Sequence, residues 1–476
     1  MLALAGKTEA QPQFHMAPIV LDAPDGRDAI DNTASARSVP HIQRIPTGLA
    51  GVSTRRLTLQ AIESDRMRMA AASSAAEGTA SALAEGAIVK TYTPAQIRTA
   101  YGLPSIPPPY VSLSPRKAAW LGAGQTIYII AARHNPNVVA ELAAFNEAFG
   151  LPGCSTQQLP AGTPLPLAAA PMDGCVLSIA YTSPEGIMRN TAPAYDATWA
   201  SEIALDVQWA HAIAPHARLV LIEAASSSAV DLMAAVALAT RLGPGVVNMS
   251  FSTGEFSLAA MQQIGAPFDT AAMSFVASAG DRGSASNWPA ADPRVLAVTG
   301  TRLSWLGRQR IETAWSSTGG ATSQQVPEPT YQAGLLKPGD PATPGAVRWR
   351  GSADVAFNAD PYTGQYIYMT PSDSTGGSGW SIAGGTSIAA VQWSGLLTLA
   401  NALRAERALA PLGPPHARLY QAALGSSARW QAAFLDITAG RNGDCGAMCK
   451  SAPGYDLTSG LGSPRVEGLL ELLAAP

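Results

Sequence analysis

Charge is scarce in this sequence. Only 14% of its 476 residues are Asp, Glu, Lys or Arg, against the usual quarter. The 31 basic and 34 acidic side chains leave a net charge of -3 and a pI of about 6.1. No dense Lys/Arg block interrupts the chain, which argues against nucleic acid or an anionic membrane as a partner. No apolar run is long enough to span a bilayer, so no membrane role is expected. With few carboxylates, acid creates little charge imbalance, and acid unfolding is blunted.

Cysteine and histidine are also rare. The four cysteines fall as two local pairs, Cys154 with Cys175 and Cys445 with Cys449, each in a loop-like stretch. They fit either two disulfides in an oxidising compartment or free thiols, and spacing does not fix the connectivity. Metal binding through sulfur is not expected, because neither pair has a second Cys or His cluster beside it in sequence. The opening MLALAGKTEAQPQF lacks the positive region and the apolar core of a signal peptide. This pulls against the oxidising reading, and composition leaves the conflict open. The six histidines are His15, His41, His134, His211, His216 and His416. None lies in a glycine-rich setting of the kind that supplies a catalytic imidazole. His211 falls in the last turn of a predicted helix, where the helix dipole suits it without any catalytic role.

What is present is regular alternation. Residues 1 to about 90 are rich in Ala, Ser, Asp and Arg and read as irregular, apart from a short helix expected over LTLQAIESDRMRMAAASSAAEG. Order is expected from residue 91 to 476. TYTPAQIRTAYGLP carries Thr93 as a helix cap, Pro94 at the first helical position and a stop at Gly102. GQTIYIIAA, ARLVLIEA, GVVNMSFS, MSFVASAGD and VLAVTGT read as strands. NVVAELAAFNEAFG, ATWASEIALDVQWAHAIAP, SAVDLMAAVALATRLG and SLAAMQQIGAPFDTAA read as helices, the last one interrupted. Such alternation predicts an α/β fold, a doubly wound, mostly parallel sheet with helices on both faces. Active sites of such sheets form at the carboxyl ends of the strands. The stretches from Cys154 to Asp196 and from Thr301 to Thr386 read as loops.

Several residues could carry chemistry. Ser387 opens the apolar run IAAVQWSGLLTLANAL after the glycine-rich loop SDSTGGSGWSIA. It reads either as a helix N-cap, the commoner role for such a serine, or as a nucleophile at a positive helix terminus. Glu202 and Asp206 are four apart on one face of an otherwise apolar helix, so they would raise each other's pKa and share a proton, or else form an acidic edge. Asp281 ends a predicted strand, a place for a catalytic group or for a simple turn.

GGTSIAA around Ser387, SEIALDVQWAHAIAP around Glu202 and Asp206, and ASAGDRG around Asp281 together resemble the sedolisin, or serine-carboxyl peptidase, family. WPAADPRVLAVTGT, ETAWSSTGGATS, ADVAFNADPYTG and GYDLTSGLGSP extend the resemblance from Tyr92 to the C-terminus. It implies a subtilisin-like fold in which a glutamate replaces the histidine base. Ser387 would then be the nucleophile, Glu202 the general base and acid, Asp206 its support, and protonated Asp281 the oxyanion donor of an acid-acting endopeptidase. The resemblance also implies one structural Ca2+ on Asp436 and Asp456 and on the carbonyls of Ile437, Ala452 and Gly454. It implies protein or peptide substrates, a monomer and secretion.

The sequence departs from the family in places. Val391 stands where proline is common and Ala452 where glycine is. Ala131 and Phe251 stand where some members carry a Glu and a Trp that extend the acid network. Residues 1–90 are short and irregular for the family's pro-region, and would be a reduced or incomplete one. The competing readings are an inactive homologue that binds peptides or serves as a structural protein, and a histidine-dependent subtilase, which the lack of a histidine motif disfavours.

Overall fold

The computed structural model describes residues 19–24, 40–45, 87–108, 111–305, 309–335, 348–370 and 379–476. The helix expected over residues 57–78 and most of the loop before Gly379 lie outside these. Helix α1 (Pro94–Tyr101) forms as its sequence dictates. Thr93 and Gln96 complete a reciprocal capping box, and Gly102 closes the helix in the left-handed region.

Strand β1 (Thr126–Ala132) is buried along its whole length. Helix α2 (Val138–Phe149) follows it. Next come β2 (Cys154–Gln158) and β3 (Cys175–Thr182), then helix α3 (Ala197–Ile213). Strand β4 (Arg218–Ala224), helix α4 (Ala229–Leu242) and strand β5 (Gly245–Met249) continue the alternation. Strands β6 (Met273–Ser278), β7 (Val295–Trp305), β8 (Arg310–Ala314) and β9 (Val355–Asn358) complete the main elements of the sheet.

They form one ten-stranded sheet in the order β8-β7-β6-β5-β1-β4-β3-β2, with β9 and the short strand Met188–Arg189 joined to β7 and β3. Pairing is parallel from β2 through to β7 and between β7 and β9; β8 and Met188–Arg189 pair antiparallel. Because β4 and β5 flank β1, the winding reverses at β1, as the α/β reading requires. The strands IYIIAA and LVLIEA, apolar apart from Glu223, occupy that centre, where both faces are covered.

Two stretches differ from expectation. The span from Cys154 to Asp196 holds β2 and β3, and the span from Thr301 to Thr386 holds β8, β9 and a hairpin of Gln365–Tyr368 with Trp380–Ala383. In β3, CVLSIAYT alternates buried and half-buried positions, a pattern obscured by the prolines and glycines that flank it. Strand pairing also begins before residue 91. Ile19–Leu21 pairs with Trp380–Ala383, and His41–Ile45 pairs with Ala87–Thr91. Both cysteine pairs are joined as disulfides, Cys154–Cys175 and Cys445–Cys449.

Helix α3 is fixed at its far end. The buried Arg98 of α1 donates to the carbonyls of Ala212 (2.8 Å) and Ile213 (2.9 Å), placing a cation on the helix C-terminus. Gln208 exchanges hydrogen bonds with the Tyr368 backbone, and Trp209 Nε1 donates to Tyr366 O at 3.0 Å. The hairpin that leads to Gly384 thus holds the helix that carries Glu202.

Candidate active site

Helix α5 (Thr386–Glu406) runs 21 residues, and Thr386 to Arg404 are buried. Its start is built by two glycines. A Cβ on Gly384 would lie 2.7 Å from Pro361 Cα, and Gly385 holds φ +99°. Gly385 is the N-cap, with no side-chain capping bond. Ser387 is therefore the second residue of the helix, and the cap role that the sequence also allowed does not describe it. Its Oγ donates to Ser250 O at 3.3 Å. It sits where the free N–H groups and positive end of a long helix favour an attacking oxygen.

Helix α3 and the carboxyl end of β6 supply the acids, and the end of β5 supplies neutral donors to them. Glu202 is 1% exposed and Asp206 0%. Among the described residues no hydrogen bond of ordinary geometry reaches either oxygen of Glu202. Burial pushes its pKa well above the ordinary range; Asp206 and Asp281 add to the rise, and the neighbouring Ser387 hydroxyl opposes it. Asp206 is also driven well up by burial, against hydrogen bonds from Ser250 Oγ (2.7 Å) and Asn248 Nδ2 (3.1 Å). These bonds from the end of β5 hold Asp206, and none joins it to Glu202.

Asp281 follows β6. Its Oδ1 accepts from the Thr386 N–H (2.6 Å) and the Thr386 hydroxyl (2.7 Å), and Thr386 Oγ1 accepts in turn from Gly280 N at 3.0 Å. Burial raises Asp281 to about 7, with the Thr386 bonds and the charge of Arg282 opposing. The electrostatics thus link Glu202 to Asp206, Asp281 and Ser387, all of them closed to solvent. None of the four lines the cavities of about 380 and 590 Å³ found elsewhere.

Sequence reasoning passed over the neutral groups of this site. Asn248 and Ser250 close an otherwise apolar strand, and Ser394 on α5 donates to Asn248 Oδ1 at 3.0 Å. Polar residues ending the run GVVNMS were the available signal. It also passed over Glu223, the register partner of Ala131. Glu223 is buried, which raises its pKa, and its Oε2 meets His134 Nδ1 at 2.6 Å. An acid inside LVLIEA was visible as an exception to the pattern. His211 departs from its sequence reading. It is fully buried and held neutral, its pKa pushed down to about 4, so it carries no charge for the helix dipole to stabilise.

Four of the five positions expected to hold calcium are joined in pairs by hydrogen bonds. Asp436 Oδ2 accepts from Gly454 N at 3.0 Å, and Asp456 Oδ2 from Ala452 N at 2.9 Å. Asp456 Oδ1 takes the N–H and hydroxyl groups of Thr458 and Ser459. Burial raises the Asp456 pKa against these bonds. Two carboxylates and carbonyls make an all-oxygen donor set, which fits a hard cation.

No protein-family model matches the chain. Kumamolisin from Bacillus sp. (strain MN-32) is 34% identical over 300 residues, which cover 57% of this chain and 50% of kumamolisin. Tripeptidyl-peptidase 1 from Bos taurus is 29% identical over 205 residues, covering 40% of this chain and 33% of that protein. The matches thus span half or less of these curated relatives. Among solved structures, Pseudomonas sedolisin, a serine-carboxyl proteinase complexed with two molecules of pseudo-iodotyrostatin, matches with a TM-score of 0.58. That match covers 80% of this chain and 98% of the other at 24% identity, and it establishes the likeness of fold.

Proposed function

We propose that the chain, which is similar to kumamolisin and has a sedolisin-like fold, is a member of the sedolisin (serine-carboxyl peptidase) family and an acid-acting endopeptidase that cleaves protein or peptide substrates through an acyl-enzyme on Ser387. One observation carries the reading. Ser387 stands at a helix N-terminus, and its hydroxyl neighbours Glu202, a buried carboxyl that no other described residue hydrogen-bonds.

In the proposed reaction the Ser387 hydroxyl turns from Ser250 O to Glu202, which takes its proton as the oxygen attacks the scissile carbonyl. Catalytic hydrogen bonds commonly tighten only once substrate is bound. Glu202 then gives the proton to the leaving amine. A carboxyl whose pKa is raised is a better base than an ordinary one and still a competent acid. Asp206, held by Asn248 and Ser250, shares a proton with Glu202, and ionisation of either raises the proton affinity of the other. Asp281 donates to the oxyanion while it is protonated. With its pKa at about 7, that form dominates below neutrality.

Asp436, Asp456 and the carbonyls of Ile437, Ala452 and Gly454 would hold one Ca2+. The ion would cancel the charge of the buried Asp456 and fix the C-terminal loop, with water completing its shell. It takes no part in the reaction. The two disulfides suit a secreted protein, and the chain is taken to act as a monomer.

The test is hydrolysis of an unfolded protein from about pH 3 to 8, spanning carboxyl and imidazole titrations, with wild type and Ser387→Ala. Cleavage that peaks in acid and vanishes in the variant is expected. No Ser387-dependent cleavage at any pH would leave the inactive peptide-binding homologue as the better reading. A maximum near neutrality would point to a histidine base.

A further inference from the structure

Strands β2 and β3 place Cys154 and Cys175 opposite each other in parallel register, with Cα atoms 4.5 Å apart. Over this edge lies the last turn of α3, with His211 wholly buried. His211 Nε2 is 2.7 Å from Pro152 O. A carbonyl can only accept, so Nε2 carries the ring proton and Nδ1 is a lone pair. That lone pair faces Cys154 Sγ at 3.4 Å. A disulfide sulfur has no hydrogen to offer it, and a buried acceptor without a donor is costly. Burial also keeps the ring neutral, as ligation requires. The cluster is absent from the sequence pattern because 57 residues separate His211 from Cys154.

The ligand atoms of Cys154, Cys175 and His211 lie within 4.8 Å of one another. We propose that this cluster has a second, reduced state, in which the two thiolates and His211 Nδ1 hold a thiophilic divalent cation, with Zn2+ the best fit. An external dithiol would supply two electrons and two protons. The Cys154–Cys175 bond breaks to two thiols, and the dithiol closes to its own disulfide. Zn2+ then displaces one proton from each thiol and accepts the His211 lone pair. The assembly of cation and two thiolates has no net charge, which suits a buried place.

Two sulfurs and one imidazole are a donor set that Zn2+ takes in tetrahedral geometry, leaving a fourth position for water. Zn–S bonds of about 2.3 Å and a Zn–N bond of about 2.0 Å put S and N about 3.5 Å apart and the sulfurs about 3.8 Å apart. The distance from Nδ1 to Cys154 Sγ already meets the first requirement. The second needs only that the sulfurs part, by rotation about a Cα–Cβ bond. The Nε2–H to Pro152 bond is the outer contact that orients a ligating imidazole.

The test uses the full chain carrying Cys445→Ser and Cys449→Ser, which removes the other thiols. It is reduced with a phosphine under argon, freed of reductant and titrated with Zn2+ by equilibrium dialysis. A parallel titration with Co2+ reads the thiolate-to-metal charge-transfer absorption. The expected result is one metal per reduced chain and none per oxidised chain, with the absorption band lost in Cys154→Ser. His211→Gln keeps a donor for Pro152 O but removes the ligating nitrogen. It should weaken binding by at least about tenfold, since even outer-contact losses cost that much. Three results would overturn the proposal: a reduced chain that binds no more Zn2+ than the Cys154→Ser/Cys175→Ser variant, equal affinity in His211→Gln, or loss of far-ultraviolet circular dichroism on reduction alone.

Discussion

Asp206 and Asp354 are both wholly closed to solvent, and their surroundings drive them in opposite directions. Burial pushes both up. Around Asp354, the buried Arg350 guanidinium at 2.7 Å and His416 at 3.5 Å reverse that effect and hold the carboxylate below its usual range. The Tyr420 hydroxyl (2.6 Å) and Ala297 N–H (2.7 Å) complete its shell. Around Asp206 and Glu202 the described residues offer only neutral donors, Ser250 and Asn248 to Asp206 and the neighbouring Ser387 hydroxyl to Glu202. A buried acid with a cation is a structural anchor that stays ionised. Buried acids without one hold their protons tightly, as proton-transfer groups must.

The sharpest test of this contrast is activity. Glu202→Gln and Ser387→Ala should each lower kcat/KM on a peptide at acid pH by about 10⁴-fold or more, because residues that act as a unit fail together. Neither should lower the melting temperature, since each removes a polar group that packing does not need. A Glu202→Gln enzyme of near-normal rate would mean the unpaired carboxyl is not the base. At the other cluster the losses reverse. Arg350→Met leaves Asp354 buried without its cation and should cost about 3–5 kcal/mol in denaturant unfolding. Adding Asp354→Leu should restore much of that loss. If the single variant is as stable as wild type, Arg350 is not what keeps Asp354 ionised.

The outline of the proposed catalytic cluster was legible as exceptions to periodicity, which the family resemblance then gave a role. Glu202 and Asp206 interrupt an apolar helix, Ser387 opens another, and Asp281 ends a strand. The remainder depends on contacts between distant segments. Asn248 and Ser250 gain meaning only when β5 brings them under α3. Arg350 and Asp354 sit in the unremarkable run RGSAD, and their shell includes Ala297 and Tyr420, far away in sequence. Sulfur ligation looked excluded while His211 was counted only by its neighbours in the chain. β3 was hidden because its alternation is short and turn residues flank it.

The pH dependence of stability should separate the clusters further. Asp281 is raised in the folded state from an unfolded value of about 3.9 to about 7. Its contribution to stability is therefore complete below about pH 4 and lost as pH rises to about 7. Asp354, depressed by Arg350, contributes above about pH 4 and loses that contribution as pH falls. Asp281→Asn should match wild type in thermal melts near pH 4 and exceed it by roughly 4 kcal/mol near pH 8. Parallel curves for the two proteins would show that Asp281 does not titrate in this window.

The smallest expected effect isolates one hydrogen bond. Ser250 Oγ donates to Asp206 Oδ1 at 2.7 Å and opposes the rise that burial imposes. Ser250→Ala removes that donor while Asn248 still holds the other oxygen. The ionised form of Asp206 then loses support, so its pKa moves further up. Because Asp206 and Glu202 interact, the acid limb of the kcat/KM profile belongs to the pair. That limb should move upward by about one pH unit, the equivalent of about 1.4 kcal/mol, with the neutral limb set by Asp281 unchanged. A uniform fall in rate with both limbs in place would make Ser250 a packing residue, and would leave burial and the Asn248 bond to set the proton affinity of Asp206.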